Sequence, residues 1–97
     1  MRYDIIFSLK AHQDIGNLNA NIRAVVRDAI ETHLRYEPAK VSKSRIKRLQ
    51  GISHPQFRLR VGDVRVYYDV REGLVMVHAV LMKSEGQNWV NQFGGDS

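Results

Sequence analysis

The spacing of apolar residues predicts an N-terminal strand followed by two helices. Residues 3–9 alternate apolar and polar side chains, which is typical of a strand. Residues 11–15 predict a short helix that Gly16 would close, because glycine readily adopts the left-handed conformation of a helix cap. Apolar residues then recur every three or four positions over residues 22–34, and either of two asparagines just before them is a suitable N-cap. This spacing indicates a long helix with one apolar stripe.

Three strand patterns follow in the second half of the chain. Residues 56–61 and 64–70 each alternate apolar with polar side chains, and Gly62 and Asp63 between them predict a tight hairpin turn. Residues 74–81 are apolar on both faces, as in an interior strand that is covered on two sides. The three strands therefore predict an antiparallel meander.

Two further segments flank this meander. Residues 39–54 are polar and basic with three isolated apolar positions, and fit either a short basic helix or an ordered loop. Residues 84–93 predict a closing helix that ends at Gly94 and Gly95. Residues 1–97 are thus expected to form a single α+β domain: a small, mostly antiparallel sheet with two N-terminal helices and a C-terminal helix, all on one side of the sheet.

Composition narrows the class of protein. A chain of 97 residues has room for one core, and 43% hydrophobic against 26% charged residues is the balance of a globular protein. The chain has no cysteine, which excludes disulfides and thiolate metal sites. Asp4 interrupts the first apolar residues, so the start lacks the apolar core of a signal peptide. We expect a soluble cytoplasmic protein that has no membrane partner.

The basic residues are concentrated in one segment. The chain has a net charge of +5, but residues 40–65 contain eight bases and one acid, whereas residues 1–39 are neutral and residues 66–97 carry −2. Such a block attracts polyanions and displaces their counterions, as nucleic-acid-binding surfaces do. A solvated basic loop and a site for an acidic protein partner fit the same charge pattern.

Strand alternation predicts that three arginines share one face of the sheet. In the hairpin, Arg58 and Arg60 point away from the predicted core, and Arg65 and Tyr67 of the next strand join them across the turn. Like charges this close repel, and only two aspartates are near in sequence. A phosphate-bearing ligand would neutralise the face, because guanidinium groups bind phosphate oxygens bidentately. Ordinary surface arginines, or a face covered by an acidic peptide, are the alternatives.

The same hairpin carries a resemblance to a known family. Residues 47–70, KRLQGISHPQFRLRVGDVRVYYDV, resemble the central signature of the RelE/ParE toxin superfamily, a Leu-x-Gly element followed by Tyr/Phe-Arg-Leu-Arg-Val-Gly-Asp-x-Arg-Val-x-Tyr. Residues 3–15, YDIIFSLKAHQDI, are similar to the first strand and short helix of that family. The resemblance covers essentially the whole chain and implies a RelE-like fold. It does not separate the two branches of the superfamily.

The resemblance implies a function and a set of site residues. The RelE branch enters the ribosomal A site and cuts messenger RNA without a metal or cofactor, whereas the ParE branch poisons DNA gyrase. Arg65 matches the strand arginine that contacts the scissile phosphate, and Arg58 and Arg60 match basic residues on the preceding strand. Lys83 matches a basic residue just after the last strand. Trp89 stands at about the place of a functional tyrosine, but an indole cannot exchange a proton as a phenol does. Either another group transfers the proton, or Trp89 binds RNA by stacking on a base.

The sequence does not identify the general acid and the general base. His54, in the loop before the hairpin, and Glu85, near Lys83, are candidates, although a glutamate in the first turn of a helix also simply favours the helix dipole. His78 lies in the interior strand, on the face that strict alternation gives to Val80, and fits a hydrogen-bonded core histidine. The four histidines have no metal-ligand spacing, so no metal site is expected.

The basic segment supplies further candidate contacts. Lys43, Arg45, Lys47 and Arg48 are expected to contact RNA phosphates without reading sequence, or to lie under an acidic antitoxin. Tyr67, on the arginine face, would stack on a base or position a phosphate, and simple packing is the alternative.

Together these observations favour a RelE-like toxin that cleaves messenger RNA on the ribosome, inhibits translation and is neutralised by a cognate antitoxin. A ParE-like gyrase inhibitor and a non-catalytic RNA-binding module of the same fold are the alternatives.

Overall fold

A computed structural model of the chain describes residues 1–94. In chain order the elements are β1 (Asp4–Phe7), α1 (Leu9–Asn17), α2 (Ala20–Leu34), β2 (Ile46–Arg48), β3 (Phe57–Val61), β4 (Val64–Arg71), β5 (Leu74–Met82) and α3 (Lys83–Phe93). The five strands form one sheet in the order β1-β5-β4-β3-β2. β1 pairs with β5 in parallel and the other neighbours are antiparallel, which confirms the predicted α+β class and mostly antiparallel sheet.

Side-chain caps fix where the first two helices begin. The Ser8 hydroxyl accepts a hydrogen bond from the Ala11 amide at 3.0 Å and ends β1 earlier than predicted, and Asn19 caps α2 in the same way. The prediction that Gly16 closes α1 is wrong, because α1 continues through it to Asn17 and its C-cap, Leu18, is extended. The link from α1 to α2 therefore needs no left-handed residue.

The main core lies between the sheet and helices α1 and α2. It is formed by buried aliphatic residues of both helices and by the inward residues of β3, β4 and β5, among them Val26, Ile30, Leu34, Leu59, Val66 and Tyr68. Alternation in the hairpin therefore runs as the sequence predicts.

Helix α3 packs on the opposite face of the sheet, so the expectation that all helices lie on one side is wrong. Val90 of α3 is buried against Tyr67 and Ala79 in a second, smaller core. The physical reason is that β5 is apolar on both faces, and its second face requires a cover. Gly94 is the C-cap of α3, and Gly95 lies outside the described residues.

A β-bulge in β5 changes which residues share a face. Tyr67 pairs with Ala79 and Tyr68 with Val77, which leaves His78 as the extra residue. His78 and Ala79 therefore both face α3, and Val80 turns back into the main core. The prediction that Val80 shares the face of His78 is wrong for this reason.

The basic segment contains an edge strand that was not predicted. Ile46 is buried opposite Leu59, and this contact draws residues 46–48 into the sheet as β2 rather than into a short helix. The rest of residues 39–54 connects α2 to β2 and β2 to β3. Across residues 1–94, every helix is too short or too polar to cross a membrane.

Candidate active site

Three arginines lie together on the sheet face that α3 partly covers. Strand register places Arg60 opposite Arg65 and Arg58 opposite Tyr67. Residues that pair across antiparallel strands share a face. Arg58, Arg60 and Arg65, which we call the arginine cluster, therefore come together as the alternation predicts.

Arg65 is buried, whereas the sequence predicts an exposed arginine face. Its side chain is 6% exposed, and Nη1 donates to the carbonyl oxygens of Gly62 at 2.8 Å and Val64 at 3.1 Å. The other donors of the guanidinium make no hydrogen bond within the described residues. The backbone thus fixes one side of the group and leaves the remaining donors for a ligand.

The arginine cluster has no carboxylate partner among residues 1–94. Burial lowers the pKa of Arg65, the charges of Arg58 and Arg60 lower it further, and Asp63 opposes this effect only weakly. A guanidinium remains charged even so. The cluster is therefore a concentrated positive charge that a bound anion would stabilise.

A groove runs beside the cluster, between α3 and the connection from β2 to β3. It has a volume of about 350 Å³ and is lined by residues that include Lys47, Ile52, Arg58 and Gln87. The Nε atom of Arg58 is buried without a hydrogen-bond partner. Unpaired buried donors are costly and therefore rare. This orphan donor marks the groove as a place where a polar ligand group would be favourable.

A row of aromatic rings holds α3 against the sheet. Trp89 packs between Tyr67, at a centroid distance of 5.3 Å, and Phe93, at 4.6 Å, and Phe93 contacts the His78 ring at 5.0 Å. Tyr67 is 4% exposed, and its hydroxyl lies over Gly86 of α3, where any Cβ would approach within 2.0 Å. Tyr67 therefore has no open ring face for a base, and Phe93 is the exposed end of the row.

The face contains a second polar group, formed by an aspartate and two histidines. Asp69 is 4% exposed, and its Oδ2 lies 2.8 Å from Nδ1 of His54 and 2.8 Å from Nε2 of His78. Oδ1 accepts a hydrogen bond from the Gln56 amide at 2.7 Å. We call His54 and His78, which share Asp69, the histidine pair.

Hydrogen bonding keeps Asp69 charged although it is buried. Burial alone would raise its pKa, but hydrogen bonds from His78, the Gln56 amide and His54 together lower the pKa below its usual value. Asp69 is thus occupied by histidines, which explains why it does not neutralise the arginine cluster. Within residues 1–94 no three His, Asp or Glu side chains are placed to hold a metal ion.

The basic segment divides between the two faces of the sheet. Lys47 pairs with Arg58 and lies on the face of the arginine cluster, whereas the guanidinium of Arg48 lies 5.2 Å from the ring centroid of Phe57. Arg45 lines a separate cavity against α2, and Lys43 is exposed in the preceding loop. Only Lys47 of these four residues joins the candidate site.

Lys83 and Glu85, the two site residues predicted at the start of α3, also lie in different places. The Lys83 amide donates to the Asp63 carbonyl at 2.7 Å, which anchors it at the β3–β4 turn, close to Arg65. Glu85 shares a cavity with Lys10 and Asp14 of α1, away from His54. The structure thus places the backbone of Lys83 at the turn that precedes Arg65, and it places Glu85 away from the histidine pair.

Sequence reasoning missed Asp69 as a member of the site. Its position two residues after Tyr67 and four after Arg65 gives it the correct strand face, so the signal was present. Alternation could not predict the bulge at His78 or the fold of the loop that carries His54. Phe93 and Gly86 were missed because their roles depend on where α3 docks.

Comparisons with known proteins identify the fold. A chain of the RelB-RelE antitoxin-toxin complex of Methanococcus jannaschii superposes with a TM-score of 0.67 at 21% identity, over 87% of this chain and 96% of that chain. A chain of the RelBE2 toxin-antitoxin complex of Mycobacterium tuberculosis gives 0.64 at 26% identity, over 84% and 99%. The YoeB dimer of Staphylococcus aureus gives 0.57 at 16% identity, over 81% and 94%.

No protein-family model and no curated protein sequence matches the chain. The assignment therefore depends on three-dimensional similarity, which spans most of every chain compared. The layout of sheet and helices is shared with these proteins, and the chain has the RelE-like toxin fold.

Proposed function

We propose that the chain is the toxin of a type II toxin-antitoxin system and that it cleaves messenger RNA on the ribosome. Two kinds of evidence support the proposal. Several of the structures that share its fold come from toxin-antitoxin complexes. The sheet face under α3 gathers charges suited to an RNA backbone.

The observation that carries the proposal is the arginine cluster without a carboxylate. Arg65 is 6% exposed, and no ion pair within residues 1–94 compensates its charge or the charges beside it. Keeping three uncompensated guanidiniums together destabilises a folded chain, so a purely structural role is a poor explanation. A phosphate that arrives with the substrate removes this cost.

Arg65 would act by stabilising the charge that develops during cleavage. When a 2′-hydroxyl attacks its neighbouring phosphate, the bond from phosphorus to the 5′-oxygen of the next nucleotide breaks, and negative charge accumulates on the phosphoryl oxygens in the transition state. Donors that are held in place and partly shielded from water stabilise that charge, by about 2.7–4 kcal/mol for one well-placed donor. The backbone carbonyls of Gly62 and Val64 hold Arg65 in place. Arg58, Arg60 and Lys83 add charge around it.

His54 is the favoured proton-transfer group. Its Nδ1 faces Asp69, so an Nδ1–H that donates to the carboxylate leaves Nε2 as a base, and the side chain is 43% exposed. Asp69 lies four residues from Arg65 along β4, about 13 Å. Arg58 pairs with Tyr67, which lies midway between Arg65 and Asp69. Arg58 would therefore hold the scissile phosphate, with Arg65 on one side and His54 on the other. Glu85 has no such position.

The partners follow from the same surface. The ribosomal A site would present the messenger RNA in a fixed conformation, which supplies an entropic gain that a small domain cannot provide alone. A cognate antitoxin with acidic and apolar side chains would neutralise the toxin by covering the arginine cluster. Both partners are part of the proposal.

The test is RNA cleavage in a translation extract, read by primer extension with and without ribosomes. The wild type should produce new RNA ends only with ribosomes, and Arg65→Lys should lose them because it keeps the charge but not the bidentate donors. Arg58→Ala provides a second variant at a half-buried position. Arg71→Ala is the matched control, an exposed arginine at the far end of the same strand. Circular dichroism confirms that each variant is folded.

A non-catalytic RNA-binding module is the second candidate, and Trp89 favours it. Trp89 stands where the resemblance places a functional tyrosine, and it packs between two rings instead of offering a proton. RNA binding without new RNA ends would support this candidate. Inhibition of gyrase supercoiling without RNA cleavage would instead support a ParE-like activity.

A further inference from the structure

A second cavity lies against α2 at the β2 edge of the sheet and shares no lining residue with the groove beside the arginine cluster. It has a volume of about 370 Å³ and is bounded by the C-terminal end of α2 and by the loop that leads into β2. Small-molecule sites have volumes of roughly 300–1,000 Å³. The cavity is therefore large enough for a ligand of modest size.

Hydrogen-bonding groups without partners converge on this cavity. Arg45, Thr32, Tyr36 and Ser44 line it, and their side chains make no hydrogen bond within the described residues. The Ser42 hydroxyl accepts from the Arg45 amide at 3.1 Å, which fixes the loop that carries the guanidinium. One loop and one helix end thus present four unused groups to the same space.

The charge of the lining favours an anion. Lys40 and Arg45 contribute two positive charges and Glu37 one negative charge, so the net charge is +1 with His33 neutral. Lys40 lies 3.7 Å from Glu37 at the exposed rim, and Arg45 has no carboxylate partner within residues 1–94. Burial lowers the pKa of His33, and the charge of Arg45 lowers it further. Arg45 therefore lies close enough to His33 for its charge to affect the pKa of this imidazole.

An aromatic ring stands at the mouth of the cavity. Tyr36 is 58% exposed. Nucleic-acid bases stack on exposed aromatic rings in a way that depends little on sequence. A cavity lined by both cationic side chains and an exposed aromatic ring matches the two ends of a nucleotide.

We propose that this cavity binds the phosphate group of a nucleotide, with Arg45, Lys40 and Ser44 as phosphate ligands and Tyr36 as a stacking surface. The nucleotide is either free or one unit of an RNA strand. The site does not depend on the proposed endonuclease activity, because it shares no residue with the arginine cluster.

The test uses the His33 imidazole as a local probe in NMR titrations of the whole chain. Bound phosphate should raise the pKa of His33 and shift its ring signals, since an anion favours the charged imidazole. Three probes are used separately: inorganic phosphate, 5′-AMP and hexauridylate. Arg45→Ala should weaken binding about tenfold or more, the effect of losing a charge-assisted hydrogen bond. Lys43→Ala, two residues away and outside the cavity, is the matched control.

The outcomes separate the sources of the phosphate. A shift with inorganic phosphate or 5′-AMP supports a site for free ligands, and a shift with hexauridylate alone supports an RNA site. The proposal is overturned if no probe shifts His33, or if Arg45→Ala and Lys43→Ala weaken the response equally, since that equality would indicate nonspecific charge. RNA cleavage is not measured, so failure of the endonuclease proposal leaves this result unaffected.

Discussion

The docking of α3 on the sheet predicts opposite effects for two glycine-to-alanine substitutions. At Gly86 a new Cβ would meet the Tyr67 hydroxyl at 2.0 Å and its ring carbons at 3.0 and 3.2 Å. Tyr67 is 4% exposed and packs on Trp89, so it cannot move aside freely. Gly16 is also helical, but a Cβ there meets nothing within 4 Å.

The expected magnitudes follow from two opposing effects. Alanine stabilises a helix by up to about 1 kcal/mol relative to glycine. Overpacking a buried contact costs about 1–3 kcal/mol. Gly16→Ala should therefore raise the free energy of unfolding by up to about 1 kcal/mol, whereas Gly86→Ala should lower it, by up to about 2 kcal/mol. The helix effect is common to both, so their difference reports the clash.

Urea denaturation followed by circular dichroism measures both variants against the wild type. Gly86→Ala in a Tyr67→Phe background supplies the internal check, because removing the hydroxyl removes the shortest contact. The loss in free energy of unfolding caused by Gly86→Ala should then be smaller but not zero, since the contacts with the ring carbons remain. If Gly86→Ala stabilises the chain as much as Gly16→Ala does, α3 does not lie on Tyr67 and the proposed shape of the site is incorrect.

Three further predictions concern the polar groups of the face. Asp69→Ala should lower the free energy of unfolding by about 1–3 kcal/mol in urea denaturation, because it removes the acceptor shared by two histidines and an amide. The pKa of Asp69 in the folded chain lies below the unfolded value of about 3.9. The contribution of Asp69 to stability should therefore be full above that pH and be lost as the pH falls through the folded pKa. The stability of the Asp69→Ala variant should lack this pH dependence. Lys47→Ala should lower the slope of log affinity against log salt by about 0.7 in single-stranded RNA binding, whereas Arg48→Ala, on the opposite face, should not change it. An equal effect of the two would contradict the assignment of faces.

The sequence was sufficient for the strand faces because alternation is a local property. Arg58, Arg60 and Arg65 came together as expected, since hairpin register follows directly from the turn at Gly62. The burial of Arg65 could not be predicted from alternation, because the backbone carbonyls that hold its guanidinium are placed by the turn and not by the strand pattern.

The histidine pair shows why the remainder of the site required the structure. His78 faces Asp69 in a bulged part of β5, and no periodic pattern signals a bulge. His54 comes from an irregular loop whose path depends on tertiary contacts. β2 was missed because its three residues carry a single buried apolar side chain, Ile46, too few for a strand pattern.

The most direct test of the central claim is the rate of messenger RNA cleavage in the A site of programmed ribosomes, compared between wild type and Arg65→Lys. The account predicts codon-phased cleavage by the wild type and a rate about 10²–10³-fold lower for the folded variant, the effect of losing one well-placed donor to the developing charge. Arg71→Ala should retain the wild-type rate. An inactive wild type, or an Arg65→Lys variant that cleaves as fast as the wild type, would contradict the account.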